Sequence, residues 1–289
     1  MRELRHVITA EQAGRTLGSA LTALGLSRHR VSSLKFSGGI LLDGQVAHTG
    51  VRVAAGQEIR VLLRDGPAEV TPCAIPLSVP WRDGDLLIVE KPAPLPAIHS
   101  ARQDARTLEN AVYAHLGCPQ DFVYRPVSRL DKGTSGLMPV ALNAHMHHRM
   151  QRLLHTEDYV REYLAVTEGA PPQTEGIIDA PIGRAEGVRR RVSPEGKPAR
   201  THYRVLERSA NGRCLLRLRL ETGRTHQIRV HLAFLGCPVA GDYLYGAELP
   251  QLPGRFALHS AFLAFTHPLT GERVAVESAL PEELLALLK

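Results

Sequence analysis

The chain has 289 residues, of which 44% are hydrophobic, and a formal net charge of +6, so it is long enough for one large or two ordinary folded domains. No apolar run approaches the ~18 residues of a membrane span, and the first residues, Met-Arg-Glu-Leu-Arg-His, lack the apolar stretch of a signal peptide. The four cysteines form no Cys-x-x-Cys pair, which argues against a zinc ribbon and suits a reducing compartment. Composition therefore predicts a cytoplasmic protein.

The basic excess lies at the front of the chain. Residues 1–64 contain nine Arg or Lys and four Asp or Glu, a balance of +5. Their pattern predicts short helices over 12–24 and 28–37, a hairpin turn at Asp43-Gly44 and a strand over 57–63. Residues 65–76, rich in Pro and Gly, predict a linker to a second domain.

Most segments after the linker read as strands. Strands are predicted over 86–91, 122–127, 137–142, 160–169 and 215–220. Helices are predicted over 107–116 and 144–155, the second with Asn143 as its N-cap. This distribution predicts an α+β fold with a large, mainly antiparallel sheet.

Residues 129–136 form the first candidate site. They read Arg-Leu-Asp-Lys-Gly-Thr-Ser-Gly, with the carboxylate of Asp131 between two cations, in a predicted loop between two strands. Gly133 and Gly136 permit backbone conformations closed to other residues, which predicts a close approach of substrate to the main chain. Taken alone, the motif is equally compatible with a surface ion pair worth about 0 to 1 kcal/mol.

Three later segments add polar and cationic residues. The alternation of residues 160–169 places Tyr163 on the same strand face as Arg161, and residues 222–232 carry Arg224 and Arg229. Residues 183–204 contain seven Arg or Lys and two Glu, which indicates a polyanionic partner. Within them, the run 189–191 is either a solvated hairpin tip or a loop that grips RNA.

Segments 129–136, 160–169 and 222–232 resemble, in the same order, the signature motifs of the RluA/RluD family of RNA pseudouridine synthases. The resemblance continues through 236–246 and 259–268. It implies a pseudouridine synthase catalytic domain over 77–289, an RNA substrate, and a reaction that needs no cofactor or metal. The front of the chain resembles an S4-type RNA-binding module, a small α/β domain over 1–64. This second resemblance implies that RNA phosphates contact three of its cations, namely Arg28, Arg30 and Lys35.

The family resemblance also implies roles for individual residues. Asp131 is the expected nucleophile, held by an Arg229 guanidinium that grips both carboxylate oxygens. Tyr163 is expected to stack on the displaced uracil and to assist removal of the proton from C5. The remaining expected RNA contacts are arginines, with Arg129 occupying the position vacated by the target base: Arg129, Arg224, Arg189, Arg190 and Arg191.

One position departs from the family pattern. Ser128 stands where the family usually has His immediately before the Arg-Leu-Asp. Serine can still form local hydrogen bonds, so we expect the reaction to be retained. The replacement of His by Ser128 weakens any prediction of which uridine is modified. Because S4-type modules accompany synthases of large-subunit ribosomal RNA, we expect that RNA to be the substrate. We also expect the enzyme to be a monomer.

Three alternatives remain at this stage. One is a synthase that acts on transfer RNA, and another is a catalytically silent RNA-binding or ribosome-assembly protein that keeps the fold. The third is a metal hydrolase, although the spacing of the histidines does not match the motif His-Glu-x-x-His. No carboxylate accompanies these histidines in the sequence as a further metal ligand. Its ligands would come from the clustered histidines and the third motif: His145, His147, His148, and His226 or His231.

Overall fold

The computed structural model describes residues 2–26, 31, 34–35, 38–63, 70–98 and 106–289. Within these residues the chain forms two main β-sheets, and a separate cluster of buried apolar side chains packs against the smaller one. The smaller sheet is built from residues near the N-terminus, and the larger from residues 78–277.

The N-terminal unit is a four-stranded antiparallel sheet with one described α-helix. Its strands lie in the order β1-β4-β2-β3. The elements are β1 (Arg2–Val7), α1 (Leu17–Ala23), β2 (Ile40–Leu42), β3 (Gln45–Val46) and β4 (Glu58–Leu63). Leu17 and Leu21 of α1 are fully buried in one cluster with Ile59 and Val61 of β4. Burial of this helix face against the sheet supplies the unit with its own core.

Two predictions for this unit can be compared with the structure. The predicted hairpin turn is confirmed, since Asp43 (φ +49°) and Gly44 (φ +81°) connect β2 to β3 with the positive φ angles of a type I′ turn. The first helix begins later than predicted, because Thr16 caps it by accepting a hydrogen bond from the Ser19 N–H. The second predicted helix, over 28–37, lies largely outside the described residues.

In the described part of the chain, eleven strands follow the N-terminal unit. Nine of them form the larger sheet, and the other two form a separate hairpin. The strands that follow the N-terminal unit are β5 (Ser78–Arg82), β6 (Leu86–Lys91), β7 (Ser135–Ala141), β8 (Val160–Thr167), β9 (Glu175–Asp179), β10 (Ile182–Arg184), β11 (Arg190–Val192), β12 (Arg200–Arg208), β13 (Cys214–Leu220), β14 (Leu258–Thr266) and β15 (Arg273–Glu277). The sheet order is β5-β6-β7-β14-β8-β13-β12-β9, and β15 also pairs with β14. All its pairings are antiparallel except that of β7 with β14. The predicted α+β fold with a large, mainly antiparallel sheet is confirmed.

Four further α-helices accompany this sheet in the described part of the chain. They are α2 (Leu108–His115), α3 (Ala144–Leu153), α4 (Gln227–Phe234) and α5 (Glu282–Leu285). The predicted N-cap of α3 is confirmed, because the Asn143 side chain accepts a hydrogen bond of 2.9 Å from the Met146 N–H. The sequence pattern did not predict α4.

The prediction of a strand over 122–127 is wrong. This segment meets β7 in one isolated bridge, between Pro126 and Val140, and is otherwise irregular. Phe122 and Val127 are buried, which accounts for the apolar run. Pro126 has no N–H for a sheet ladder. The 129–136 loop therefore joins an irregular segment to a strand.

The described half of the predicted linker, residues 70–76, lies against the larger unit. The Asn110 side chain of α2 donates a hydrogen bond of 2.7 Å to the Thr71 carbonyl, and the Cys73 N–H donates one of 3.2 Å to the Asn110 carbonyl. Val70 and Ile75 pack against the main core.

None of the described helices has the length and apolarity needed to cross a membrane.

Candidate active site

The three motif segments meet around one cavity. Its volume is about 580 Å³, and its walls come from the 129–136 loop, from β8, and from the segment that joins β13 to α4. Asp131, Tyr163 and Arg229 all line it. Residues that lie 98 positions apart in the chain, Asp131 and Arg229, are thereby brought into direct contact.

The two glycines of the loop allow other parts of the protein to pack closely against the loop backbone. A side chain on Gly133 would place its Cβ 2.6 Å from the ring of Phe256. Gly136 has φ +106°, and a Cβ there would lie 2.3 Å from the Ser260 carbonyl oxygen. The prediction that these glycines admit the substrate is therefore corrected: the close neighbours are β14 and the segment before it. Their packing sets the position of the loop.

A buried lysine holds the loop from the other side. The Lys91 Nζ, at the end of β6, donates hydrogen bonds to the carbonyls of Leu95 (2.8 Å) and Lys132 (3.3 Å). The Leu95 N–H also donates to the Lys132 carbonyl, at 3.0 Å. Burial lowers the pKa of Lys91 to about 7, against the opposing effect of the Asp131 charge. The backbone next to Asp131 is thus tied to the end of β6.

The guanidinium of Arg229 joins two carboxylates. Its Nη1 donates one hydrogen bond of 3.0 Å to Asp131 Oδ2, while Nε and Nη2 donate bonds of 2.7 and 2.8 Å to the two oxygens of Asp242. The predicted contact with Asp131 is present. The predicted grip on both oxygens is made instead on Asp242, because the forked edge of the guanidinium faces that residue. Asp131 keeps one carboxylate oxygen free of Arg229 and a side chain that is 28% exposed to the cavity.

Burial and aromatic contacts hold Arg229 in place. It lies on α4 and is 2% exposed, and its guanidinium is 4.1 Å from the ring centre of Phe256 and 5.0 Å from that of Tyr245. Burial alone would lower the pKa of Arg229, but the bonds to Asp242 and the charge of Asp131 raise it above the ordinary arginine value. The guanidinium therefore remains a fixed positive charge beside Asp131.

Tyr163 lies on β8 at the cavity wall, 7% exposed. Burial raises the pKa of its hydroxyl; the nearby Arg161 acts in the opposite direction, and Asp131 adds to the increase. The phenol therefore stays protonated at neutral pH. Arg161, two residues earlier on the same strand face, also lines the cavity, as the alternation predicted.

His226 was considered in the sequence only as a possible metal ligand, yet it faces Asp131. Its Nε2 is 4.0 Å from Asp131 Oδ1, and its Nδ1 is 2.8 Å from the Tyr245 hydroxyl. The backbone of His226 is left-handed, with φ +59°. Burial lowers the pKa of His226, against the opposing effect of the Asp131 charge.

The predicted RNA-binding cations are distributed over several surfaces. Arg129 and Arg224 line the cavity. The strands β10 and β11 form an exposed hairpin, here called the arginine hairpin (residues 182–192), and the run 189–191 begins in its tip and ends in β11. Lys35 is exposed in the N-terminal unit. Arg28 and Arg30 lie outside the described residues.

The histidines that suggested a metal hydrolase lie on α3, on α4 and at the residue before α4. His145 is buried in α3, where it accepts a hydrogen bond from Arg149, and His231 in α4 contacts the Thr201 hydroxyl and the Ala180 carbonyl. In the part of the chain with a described structure, no three His, Cys, Asp or Glu side chains are grouped to hold a metal ion.

Comparison with known proteins identifies the family. Residues 85–234, just over half of the chain, match the family model described as RNA pseudouridylate synthase. The chain belongs to this family. The synthase is 39% identical to the ribosomal large subunit pseudouridine synthase D of Nitrosomonas europaea, over 96% of this chain and 84% of that one. It is 36% identical to an RNA pseudouridine synthase of Bacillus subtilis called YlyB, over 91% and 89% of the two chains.

A solved structure agrees with this assignment. Human RNA pseudouridylate synthase domain containing 1 superposes with a TM-score of 0.58 and 29% identity, over 71% of this chain and 83% of the human one. The protein is therefore an RNA pseudouridine synthase, an isomerase that acts on RNA. The family assignment sets aside the metal hydrolase. A catalytically silent protein would share the same family and fold, so restoring the wild-type chain to a deletion strain is the measurement that decides that alternative.

Sequence reasoning missed four residues that shape this site. Lys91, His226, Asp242 and Tyr245 all contact either the Asp131 loop or the partners of Asp131. For three of them the signal was the family resemblance, because His226 lies within the 222–232 motif and Asp242 and Tyr245 lie within the 236–246 segment. For Lys91 the signal was a charged residue that ends an otherwise apolar strand.

Proposed function

We propose that this synthase converts specific uridines of large-subunit ribosomal RNA to pseudouridine, with Asp131 as the nucleophile. The observation that carries the role of Asp131 is its position: an accessible carboxylate at the wall of a cavity of about 580 Å³, 3.0 Å from a buried arginine. The names of relatives such as that of Nitrosomonas europaea support the ribosomal substrate. We further propose that it acts as a monomer in the cytoplasm, where ribosomal RNA is available.

The conversion of uridine to pseudouridine is an isomerisation that requires few catalytic groups. The bond from N1 to C1′ of the ribose breaks, the uracil rotates, and C5 bonds to C1′; the C5 proton is lost and N1 gains one, with no net redox change and no water consumed. One carboxylate can serve as the nucleophile, whereas most glycosidases use two to manage water and a leaving group. The fixed positive charge of Arg229 lies 3.0 Å from the Asp131 carboxylate. Asp131 is thus supplied with the electrostatic partner that the role requires.

Tyr163 is proposed to stack on the displaced uracil and to assist removal of the C5 proton. Its phenol is protonated at neutral pH, so it would act through a hydrogen bond at the proton-transfer step. Tyr163→Phe keeps the ring and removes the hydroxyl. We expect this variant to bind RNA normally and to accumulate rearranged or covalently held base without releasing product. Denaturing gel analysis of the RNA–protein mixture measures this, and normal turnover would exclude the hydroxyl from proton transfer.

We propose that the basic residues divide the binding of RNA between them. Arg129 would occupy the position that the target base vacates, and Arg224 and the arginine hairpin would contact the backbone near the cavity. The N-terminal unit, proposed as an S4-type domain over residues 1–64 and joined by a 65–76 linker to a catalytic domain over 77–289, would add affinity through Arg28, Arg30 and Lys35. The balance of +5 in residues 1–64 supports this division.

The substrate is tested by mapping pseudouridine in total RNA from cells with and without the protein. We expect one or a few large-subunit ribosomal positions to lose the modification in the deletion strain and to regain it when the wild-type chain is restored. Restoration with Asp131→Asn serves as the matched control and should leave those positions unmodified. Loss of signal in transfer RNA instead would assign the enzyme to that substrate.

A further inference from the structure

A chain of contacts runs from the arginine hairpin to Asp131. The Arg190 N–H donates a hydrogen bond of 2.9 Å to the Tyr245 hydroxyl oxygen, and that hydroxyl lies 2.8 Å from Nδ1 of His226. The other ring nitrogen of His226, Nε2, points to Asp131 Oδ1 at 4.0 Å. Two side chains therefore connect a surface hairpin rich in arginine to the carboxylate oxygen that Arg229 does not hold.

The contacts of Tyr245 favour one position for the imidazole proton. The Tyr245 oxygen accepts a hydrogen bond from the Arg190 N–H, and the hydroxyl can donate its own proton to Nδ1 of His226 when the neutral ring carries its proton on Nε2. Burial raises the pKa of Tyr245, so the hydroxyl keeps this proton. In that arrangement the neutral His226 carries its proton on Nε2, the nitrogen that faces Asp131. A contact of 4.0 Å is too long for a hydrogen bond, but such contacts commonly shorten when substrate binds.

The backbone of His226 is held in an unfavourable conformation next to the site. It adopts the left-handed conformation (φ +59°, ψ 21°), which is unfavourable for a residue with a Cβ, and immediately precedes α4. Arg229 follows three residues later on the same helix. Both partners of the Asp131 carboxylate are therefore carried by one short element, and the Tyr245 ring lies over the Arg229 guanidinium at 5.0 Å while its hydroxyl contacts His226.

We propose that His226 and Tyr245 are positioning residues that orient the free oxygen of Asp131 and couple that orientation to the seating of RNA on the arginine hairpin. The inference rests on the proposed role of Asp131 as nucleophile. RNA bound at the hairpin fixes the backbone of Arg190, and through it the Tyr245 hydroxyl. The Tyr245 hydroxyl keeps the proton of His226 on Nε2, directed at Asp131.

Protonation of His226 would interrupt this chain. The groups that face it are Asp131, whose charge raises its pKa, together with Arg229, Arg190 and Asp242, and burial is the largest influence and lowers the pKa below 6.5. When the ring is protonated, Nδ1 becomes a donor and can no longer accept from Tyr245. We therefore expect the rate of the reaction to fall on the acid side of neutrality as His226 gains a proton.

Tyr245→Phe tests the proposal most directly. It keeps the ring over Arg229 and removes both hydrogen bonds of the hydroxyl. With saturating RNA, we expect the single-turnover rate constant to fall about tenfold, because a hydrogen bond that orients a charged group is lost. The dissociation constant for RNA should change less than about twofold. The acid limb of the pH–rate profile should move to higher pH, because neutral His226 loses the donor that stabilises it.

Nitrogen-15 NMR of the imidazole gives a readout that a loss of stability would not produce. The wild-type signal of His226, assigned by its disappearance in His226→Asn, should show the proton on Nε2, and Tyr245→Phe should show a mixture of both forms. Asparagine tolerates the left-handed backbone better than most residues but does not reach the position of Nε2. This variant should therefore fold and show a loss of rate at least as large as that of Tyr245→Phe.

Tyr243→Phe is the matched control, since it removes a hydroxyl from a tyrosine that is 42% exposed and two residues away. Its rate, RNA affinity and His226 signal should match the wild type. An unchanged rate in Tyr245→Phe, or equal losses of rate and affinity with an unchanged His226 signal, would overturn the proposal. If Asp131→Asn remained active, the nucleophile assignment would fail by itself, and the NMR comparison would still decide the contact between Tyr245 and His226.

Discussion

Asp131→Asn is expected to abolish pseudouridine formation while leaving folding and RNA affinity nearly intact. The amide has the same shape but cannot act as a nucleophile, so turnover should fall below about a thousandth of the wild-type rate. Folding should survive, because the buried Arg229 keeps its two bonds to Asp242 when Asp131 loses its charge. The carboxylate removed is 28% exposed, so its loss should change the free energy of unfolding by less than about 1 kcal/mol.

The measurement is a single-turnover assay with saturating RNA, combined with RNA binding and chemical denaturation of the same preparation. Asp179→Asn is the control, because Asp179 is an exposed carboxylate on β9 that is also paired with an arginine, at 3.6 Å. It should react at the wild-type rate. Turnover by Asp131→Asn above about a thousandth of that rate would show that Asp131 is not the nucleophile.

Asp242→Asn should have the opposite effect, a large loss of stability. Asp242 is fully buried, and it accepts two hydrogen bonds from Arg229 and one of 3.0 Å from the Leu244 N–H. Removing its charge leaves a guanidinium that is 2% exposed, with Asp131 at 3.0 Å as the carboxylate that still contacts it. Breaking a buried ion pair in this way costs about 3 to 5 kcal/mol, a large part of the total stability of most domains.

Equilibrium denaturation of Asp242→Asn, Asp131→Asn and Asp179→Asn measures the contrast. The two site variants remove a carboxylate from the same guanidinium, yet the first should lose stability and the second should lose turnover. The exposed pair at Asp179 should contribute less than about 1 kcal/mol. A change of less than about 1 kcal/mol in Asp242→Asn would mean that Asp242 does not compensate the charge of Arg229.

Local signals in the sequence predicted several elements correctly. Asn143 was identified as the N-cap of α3 because its side chain satisfies a backbone N–H that the helix cannot. The turn at Asp43-Gly44 was predicted because few residues accept two successive positive φ angles. In each case the energy that decides the structure comes from residues within a few positions.

Two segments lack such a local signal: α4 was not predicted, and the strand predicted over 122–127 is wrong. The polar residues Gln227, Arg229 and His231 of α4 are buried like the apolar residues with which they alternate, so this segment shows no helical period. The segment 122–127 is apolar because Phe122 and Val127 face the core, and an apolar run of that length does not distinguish a strand from buried irregular structure. Burial by distant parts of the chain determined both outcomes.

The sequence by itself determined the fold class, the family resemblance and the three segments that meet at the cavity. Only the tertiary structure decided how the charges inside the cavity are paired. Arg229 lies 98 residues from Asp131 and 13 from Asp242, and no spacing rule says which carboxylate receives the forked edge of the guanidinium. That choice depends on the direction of the side chain within a packed core, where the fully buried Asp242 receives two hydrogen bonds and the partly exposed Asp131 receives one.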